Sequence, residues 1–265
     1  MPSLQIADHK IHYELTGAAS APVLVLSNSL GTTMAMWEPQ LAEFAKSFRV
    51  LRYDTRGHGQ SEVTPGPYTF GQLAQDVMRL LDALKIEEAH FCGLSMGGLT
   101  GLQLGLDASR RFRRMVICSA SAKFGTAEGW DKRIEAVRTS GMKLVAGQVI
   151  ERWFTKEFRA AALNKVESMR RMIEGISPDG YVNCCMALRD ADLRERLSEV
   201  RAETLIISGT QDPVSPPADG KVLASGIPGA RYCELNASHL SNVEAAHEFT
   251  QAALSFLAGS GGGNG

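Results

Sequence analysis

Gly93-Leu94-Ser95-Met96-Gly97 is the stretch on which the reading of this chain turns. The pattern G-x-S-x-G is weak alone, because small residues at that spacing recur by chance. Its setting adds the weight: a strand candidate at 89–92 leads in, and a helical pattern rich in glycine (Gly97, Gly98, Gly101, Gly105) leads out. A strand that turns this sharply into a helix strains the residue at the corner, which is tolerable only where the neighbours lack bulk. Ser95 then stands at a helix N-terminus, where developing negative charge is favoured, and is the candidate nucleophile. An incidental serine in a glycine-rich turn is the competing reading, and the strand–turn–helix context weighs against it.

Outward from this corner, strand and helix patterns alternate. Residues 4–6 and 11–15 alternate apolar and polar as an antiparallel edge hairpin does. Residues 23–26 form an unbroken apolar run, the mark of a strand buried on both faces. Further strands are expected at 50–53, 115–118, 205–207 and 231–235. Thr69 and Gln72 make a capping box before the periodic run Leu73, Val77, Leu80, Leu81 and Leu84, and core helices are also expected at 96–106 and 245–257. The alternation predicts an α/β fold with a mostly parallel, doubly wound sheet.

From 123 to 199 the rhythm changes. Helical patterns fall at 130–139, 144–154, 160–174 and 181–188, the last with Ser177 as N-cap and Pro178 at the first helical position. No convincing strand interrupts them. A helical cap inserted between two core strands is therefore expected: core 1–122 and 200–258, cap 123–199. Residues 259–265 have flexible-linker composition and are expected to lie outside the fold.

A serine is a poor nucleophile at neutral pH unless a base removes its proton. The six histidines are His9, His12, His58, His90, His239 and His247. Where a nucleophile sits on such a corner, the chain order is Ser, acid, His, so the base follows the last strand. His247 falls inside the C-terminal helix pattern; His239, in the loop Asn236-Ala237-Ser238-His239, is the candidate base. Asp212 leaves the preceding strand in Thr210-Gln211-Asp212-Pro213 and is the candidate orienting acid, against the simpler role of a turn-forming Asp before Pro213. The rival acid position, after 115–118, reads Ser119-Ala120-Ser121 and offers no carboxylate. The N–H groups of Met96 and of Leu30, in Ser27-Asn28-Ser29-Leu30-Gly31-Thr32, are the expected oxyanion donors. The loop Asp54-Thr55-Arg56-Gly57-His58-Gly59-Gln60-Ser61 is either a pocket wall with His58 as a ligand or a packing loop; the packing role is favoured.

The 265 residues are 44% hydrophobic, enough for a large core, and the net charge of −1 comes without long charged blocks. Neither nucleic acid nor an anionic membrane surface is an expected partner. The opening Met1-Pro2-Ser3-Leu4-Gln5 lacks a secretory pattern, and the five cysteines form no Cys-x-x-Cys pair, so reduced thiols and a cytoplasmic location are expected.

Over nearly its whole length the chain resembles the α/β-hydrolase superfamily, and within it the chain is similar to the 3-oxoadipate enol-lactonases. That resemblance rests on Asn28-Ser29-Leu30-Gly31-Thr32 with Met36-Trp37 following, where many relatives of the fold carry His-Gly. It also rests on Trp153-Phe154-Thr155, Gly180-Tyr181, Cys184-Cys185, Ala187-Leu188 and Asp190-Ala191-Asp192-Leu193-Arg194. Matches in a variable cap are more specific than a triad shared by many activities. The resemblance implies a small anionic lactone as substrate, hydrolysed without metal or organic cofactor. The substrate's carboxylate should then meet a cation under the cap. Arg133, bordering the helix face of Trp130, Ile134 and Val137, is the candidate, against a merely solvated arginine. Trp130 and Trp153 are candidate pocket walls, although aromatic residues at helical spacing more often serve as cap core. A serine nucleophile argues against the dehalogenases and epoxide hydrolases of this fold, which use Asp. A carboxylesterase, a perhydrolase, a C–C bond hydrolase and a small-molecule receptor on the same scaffold remain open.

Overall fold

Eight strands form one sheet in the computed structural model, which describes residues 2–259. They are β1 (Ser3–Ile6), β2 (His9–Thr16), β3 (Val23–Ser27), β4 (Arg49–Tyr53), β5 (Ala89–Leu94), β6 (Phe112–Cys118), β7 (Glu203–Gly209) and β8 (Arg231–Leu235). Their order is β1-β2-β4-β3-β5-β6-β7-β8. The β1–β2 and β2–β4 pairs are antiparallel and the other five pairs are parallel. Every strand expected from the apolar patterns is present. β5 is buried at each of its residues, as a strand covered by helices on both faces must be.

Local chemistry fixes the helix ends. Thr69 Oγ1 accepts from Gln72 N–H while the Gln72 side chain accepts from Thr69 N–H, so the capping box before the helix Phe70–Ala83 is complete. That helix packs against Met96–Asp107, which lies on β3, β5 and β6; Glu38–Phe44 packs against Ala246–Leu257. The expected helix at 245–257 starts one residue late, because Ala245 (φ −111°, ψ 52°) separates it from a short turn at Ser241–Glu244. All five cysteines are free thiols.

Between β6 and β7 the chain forms helices and no strand. The segment Ala127–Trp153 is interrupted at Gly141 (φ 73°, ψ −178°), which separates the two helices expected at 130–139 and 144–154. The stretch expected as one helix at 160–174 is two, Lys156–Ala161 and Leu163–Glu174, divided at Ala162 (φ −121°, ψ 45°). Phe158 stacks on Phe154 at 5.2 Å and holds the first of these on a course of its own. The last helix, Pro178–Asp190, begins as expected, with the Ser177 side chain accepting from Gly180 N–H. Of the expected tail at 259–265, residues 260–265 lie outside the described residues.

Candidate active site

The corner between β5 and Met96–Asp107 is as tight as the pattern requires. Ser95 has φ 57° and ψ −114°, a conformation L-residues adopt only under constraint. A Cβ on Gly93 would collide with the Gly97 carbonyl, and one on Gly97 with the Ser27 carbonyl at the end of β3. These two backbone approaches bring Ser95 beside the loop that follows β3. Ser95 is 6% exposed and lines a cavity together with Ser29, Leu30 and His239.

His239 is held from behind. Its Nδ1 lies 2.8 Å from Asp212 Oδ2, with both residues buried. Asp212 receives three further donors: Ser215 Oγ at 2.7 Å on the same oxygen, and Val214 N–H and Ser215 N–H on Oδ1 at 2.7 and 3.1 Å. Burial pushes the Asp212 carboxyl up, but His239 and the Ser215 hydrogen bonds outweigh it and hold the group below the usual carboxylate range. An ionised acid hydrogen-bonded to an imidazole, with a hydroxyl in the same cavity, supplies the parts that acyl transfer needs. Ser215 was not singled out by sequence reasoning, although an Asx-type turn after Asp212 is the local signal for it. His247 is exposed on Ala246–Leu257 and stands apart from this cluster.

The loop after β3 is braced along its length. Trp37 Nε1 donates to Asn28 Oδ1 at 2.9 Å, and Asn28 Nδ2 donates to the Tyr53 carbonyl at 2.7 Å. This pairing gives a physical reason for Asn28 and Trp37 to occur together. Ser29 N–H donates to Met36 Sδ, and Gly31 N–H to His58 Nε2 at 3.0 Å. Between them, Leu30 N–H donates to no group among the described residues, and the same holds for Met96 N–H at the start of its helix. Both are therefore available to an oxyanion.

His58 is a brace and does not line the cavity, in keeping with the packing role favoured for its loop. Its Nε2 accepts from Gly31 while its Nδ1 points to the Arg56 carbonyl at 3.4 Å, so the ring is neutral; burial pushes its pKa down to about 4. Arg56 in turn forms a two-pronged pair with buried Asp76 at 2.6 and 2.8 Å.

The helices between β6 and β7 supply the opposite wall. Trp130, Arg133 and Trp153 all line the cavity that holds Ser95 and His239. Arg133 lies 5.5 Å over the Trp130 ring, and its Nη1 donates to Tyr181 Oη at 3.4 Å. Arg152 lines the same cavity and was missed. Its signal was present, an arginine flanking the apolar stripe of Val149 and Trp153, but its approach to Arg133 depends on the break at Gly141.

A family model described as alpha/beta hydrolase fold matches residues 22–246. The chain belongs to the α/β-hydrolase family. Two relatives, "3-oxoadipate enol-lactonase 2" and "3-oxoadipate enol-lactonase 1" of Acinetobacter baylyi, are each 41% identical to it; the alignments cover 94% and 92% of this chain and 94% and 91% of theirs. The crystal structure of the enol-lactonase from Burkholderia xenovorans LB400 superposes with a TM-score of 0.96 at 45% identity, over 97% of this chain and all of that one. The resemblance drawn from Asn28–Thr32 and the cap residues is thus met by overall similarity. Among the described residues of this hydrolase, no helix is long and apolar enough to cross a membrane.

Proposed function

We propose that this hydrolase opens the lactone ring of 3-oxoadipate enol-lactone to give 3-oxoadipate, as a cytoplasmic step in aromatic breakdown by the β-ketoadipate route. The observation that carries the reading beyond fold and relatives is the pair Arg133 and Arg152 facing Ser95 and His239 across one cavity, with no Asp or Glu among its lining residues. Such a wall suits a lactone whose side arm ends in a carboxylate. In the proposed architecture, 1–122 and 200–258 form the core, and 123–199 form a cap that shuts water from the site.

In the proposed mechanism His239 Nε2 takes the proton of Ser95 as Oγ attacks the lactone carbonyl. Leu30 and Met96 N–H groups hold the tetrahedral oxyanion. Collapse expels the ring oxygen as an enolate, a better leaving group than an alkoxide, and proton return followed by tautomerisation gives the ketone. His239 then activates water, which releases the acyl group from Ser95. Asp212 holds the imidazole ring throughout and stabilises its cationic form. The steps draw on these side chains, the two backbone N–H groups and one water.

Turnover of the enol-lactone acid against the same ring with a methyl-ester arm tests this. A site built to pair a carboxylate leaves its own donors unsatisfied with the neutral analogue. The acid should be preferred, and Arg133→Met should erase most of that preference, about 2–4 kcal/mol in kcat/KM. Equal turnover of acid and ester by the wild-type protein would favour a general carboxylesterase of the same fold.

A further inference from the structure

The cavity above Ser95 adjoins an outer cavity on its cap side, and the two share walls: Phe124, Trp130, Arg133, Arg152 and Val214. Both arginines line both spaces. No Asp or Glu lines either one, and among the described residues neither guanidinium has a carboxylate partner. Arg133 has the Tyr181 hydroxyl and the Trp130 ring face; Arg152 Nε has only the Gln148 carbonyl of its own helix, at 3.4 Å. Nearby, Arg189 is paired with Asp131 and Asp190, and Arg194 with Asp192. Two half-buried cations left together without a counter-ion are unfavourable by desolvation and by mutual repulsion. Burial, and then Arg133, accordingly pull Arg152 below the usual arginine range.

The charge of the two walls is therefore +2. A lactone with one carboxylate arm neutralises half of it. Hydrolysis adds water across the acyl–oxygen bond and, after the new acid loses its proton to solvent, leaves a ligand of charge −2. We infer that Arg133 and Arg152 form a two-cation subsite that holds a linear dicarboxylate more tightly than a monoanion, so that the ring-opened product competes with substrate. This inference rests on the lactone reading for the identity of the natural ligand, but the charge preference follows from the cavity walls themselves. Arg152 enters as a binding residue and has no role in the proton transfers.

Adipate is the probe, with monomethyl adipate and hexanoate as monoanions of similar length. Titration calorimetry at low ionic strength, where partly exposed charges are least screened, measures binding. Adipate should bind about 10-fold tighter than either monoanion or better, and should inhibit hydrolysis of a neutral nitrophenyl ester competitively. Arg152→Met should abolish the preference for the dianion, and Arg152→Lys should restore part of it; circular dichroism confirms that both variants are folded. Equal affinity for dianion and monoanions, or a preference that survives Arg152→Met, overturns the subsite. If adipate is preferred but the enol-lactone is not turned over, the subsite stands and the lactone reading fails. If the lactone is turned over without a dianion preference, the subsite alone fails.

Discussion

Ser238 Oγ donates to the Arg152 carbonyl at 2.9 Å, joining the residue before His239 to the helix that carries one of the two cavity arginines. On the other side of His239, Leu240 N–H donates to the Trp153 carbonyl at 3.1 Å. Glu244 strengthens the same seam, accepting from Ser238 N–H at 2.9 Å and from the Thr155 hydroxyl. The histidine loop and the end of the helix Ala127–Trp153 are thus bound to each other at several points. Displacing one displaces the other.

Ser238→Ala should show this coupling in kcat. The variant leaves the Arg152 carbonyl without its side-chain donor, a loss of about 1–2 kcal/mol in stability. It also loosens the loop that aims His239, the proposed base, and small misplacements of a catalytic group lower the rate. The expected result on a nitrophenyl ester is a several-fold fall in kcat with KM nearly unchanged. A lower melting temperature with unaltered kcat would reduce the seam to a structural tie.

The proposed roles of Ser95 and His239 make a sharper prediction. Ser95→Ala and His239→Ala should each lower kcat by about 10⁴-fold while the protein remains folded. His247→Ala, an exposed change on the last helix, should leave both activity and stability as they were. Steady-state assays of the three variants are sufficient. A Ser95→Ala protein with a tenth of the wild-type turnover would overturn the assignment.

The neutral state of His58 gives stability a pH dependence of definite sign. Its folded-state pKa of about 4 lies below the unfolded value near 6.5, so between these values the unfolded chain binds the extra proton. The stability from His58 is full above pH 6.5 and is lost as pH falls towards 4, a change of up to about 3 kcal/mol. His90, pulled down by burial and by Arg114 and Arg113, acts in the same direction. Urea unfolding at pH 4.5 and 7 should show the loss, and His58→Gln should make it smaller. An equal pH effect in both proteins would assign it to His90 or to the remaining groups.

The eight strands were legible because burial on one or both faces leaves a local pattern of apolar residues. Thr69 with Gln72, and Ser177 with Pro178, were legible for a similar reason: a helix start satisfies its N–H groups with neighbouring residues. The helices Glu38–Phe44 and Pro217–Gly226 were not read, since short helices opened by proline carry little periodic signal. In the proposed site, Ser95, Asp212 and His239 could be singled out because strand ends order them along the chain. Arg152 was not singled out: its place beside the apolar stripe of Val149 and Trp153 was a local signal, but its approach to Arg133 follows from the backbone turn at Gly141. The brace from His58 to Gly31 spans 27 residues and also leaves no periodic trace.

Two glycines in the helical insertion should respond oppositely to the same substitution. Gly180, in the first turn of Pro178–Asp190, lies so close to Gly57 that an added Cβ would collide with the Gly57 carbonyl. The obstacle is backbone, so it cannot swing aside. Gly180→Ala must push the helix off the loop after β4 and move Tyr181, which is buried and receives the hydrogen bond from Arg133. Overpacking of this kind costs about 1–3 kcal/mol, or roughly 3–10 °C in melting temperature for a chain of this size. Gly147 sits in the second half of Ala127–Trp153, where an added Cβ meets nothing within 4 Å. There alanine removes only unfolded-state freedom and should raise stability by about 0.5–1 kcal/mol. Thermal unfolding of both variants, with ester turnover measured alongside, separates the effects: Gly180→Ala should lose stability and activity together, while Gly147→Ala should gain stability and keep its activity. If Gly180→Ala melted with the wild type, the close approach to Gly57 would not be a feature of the folded protein.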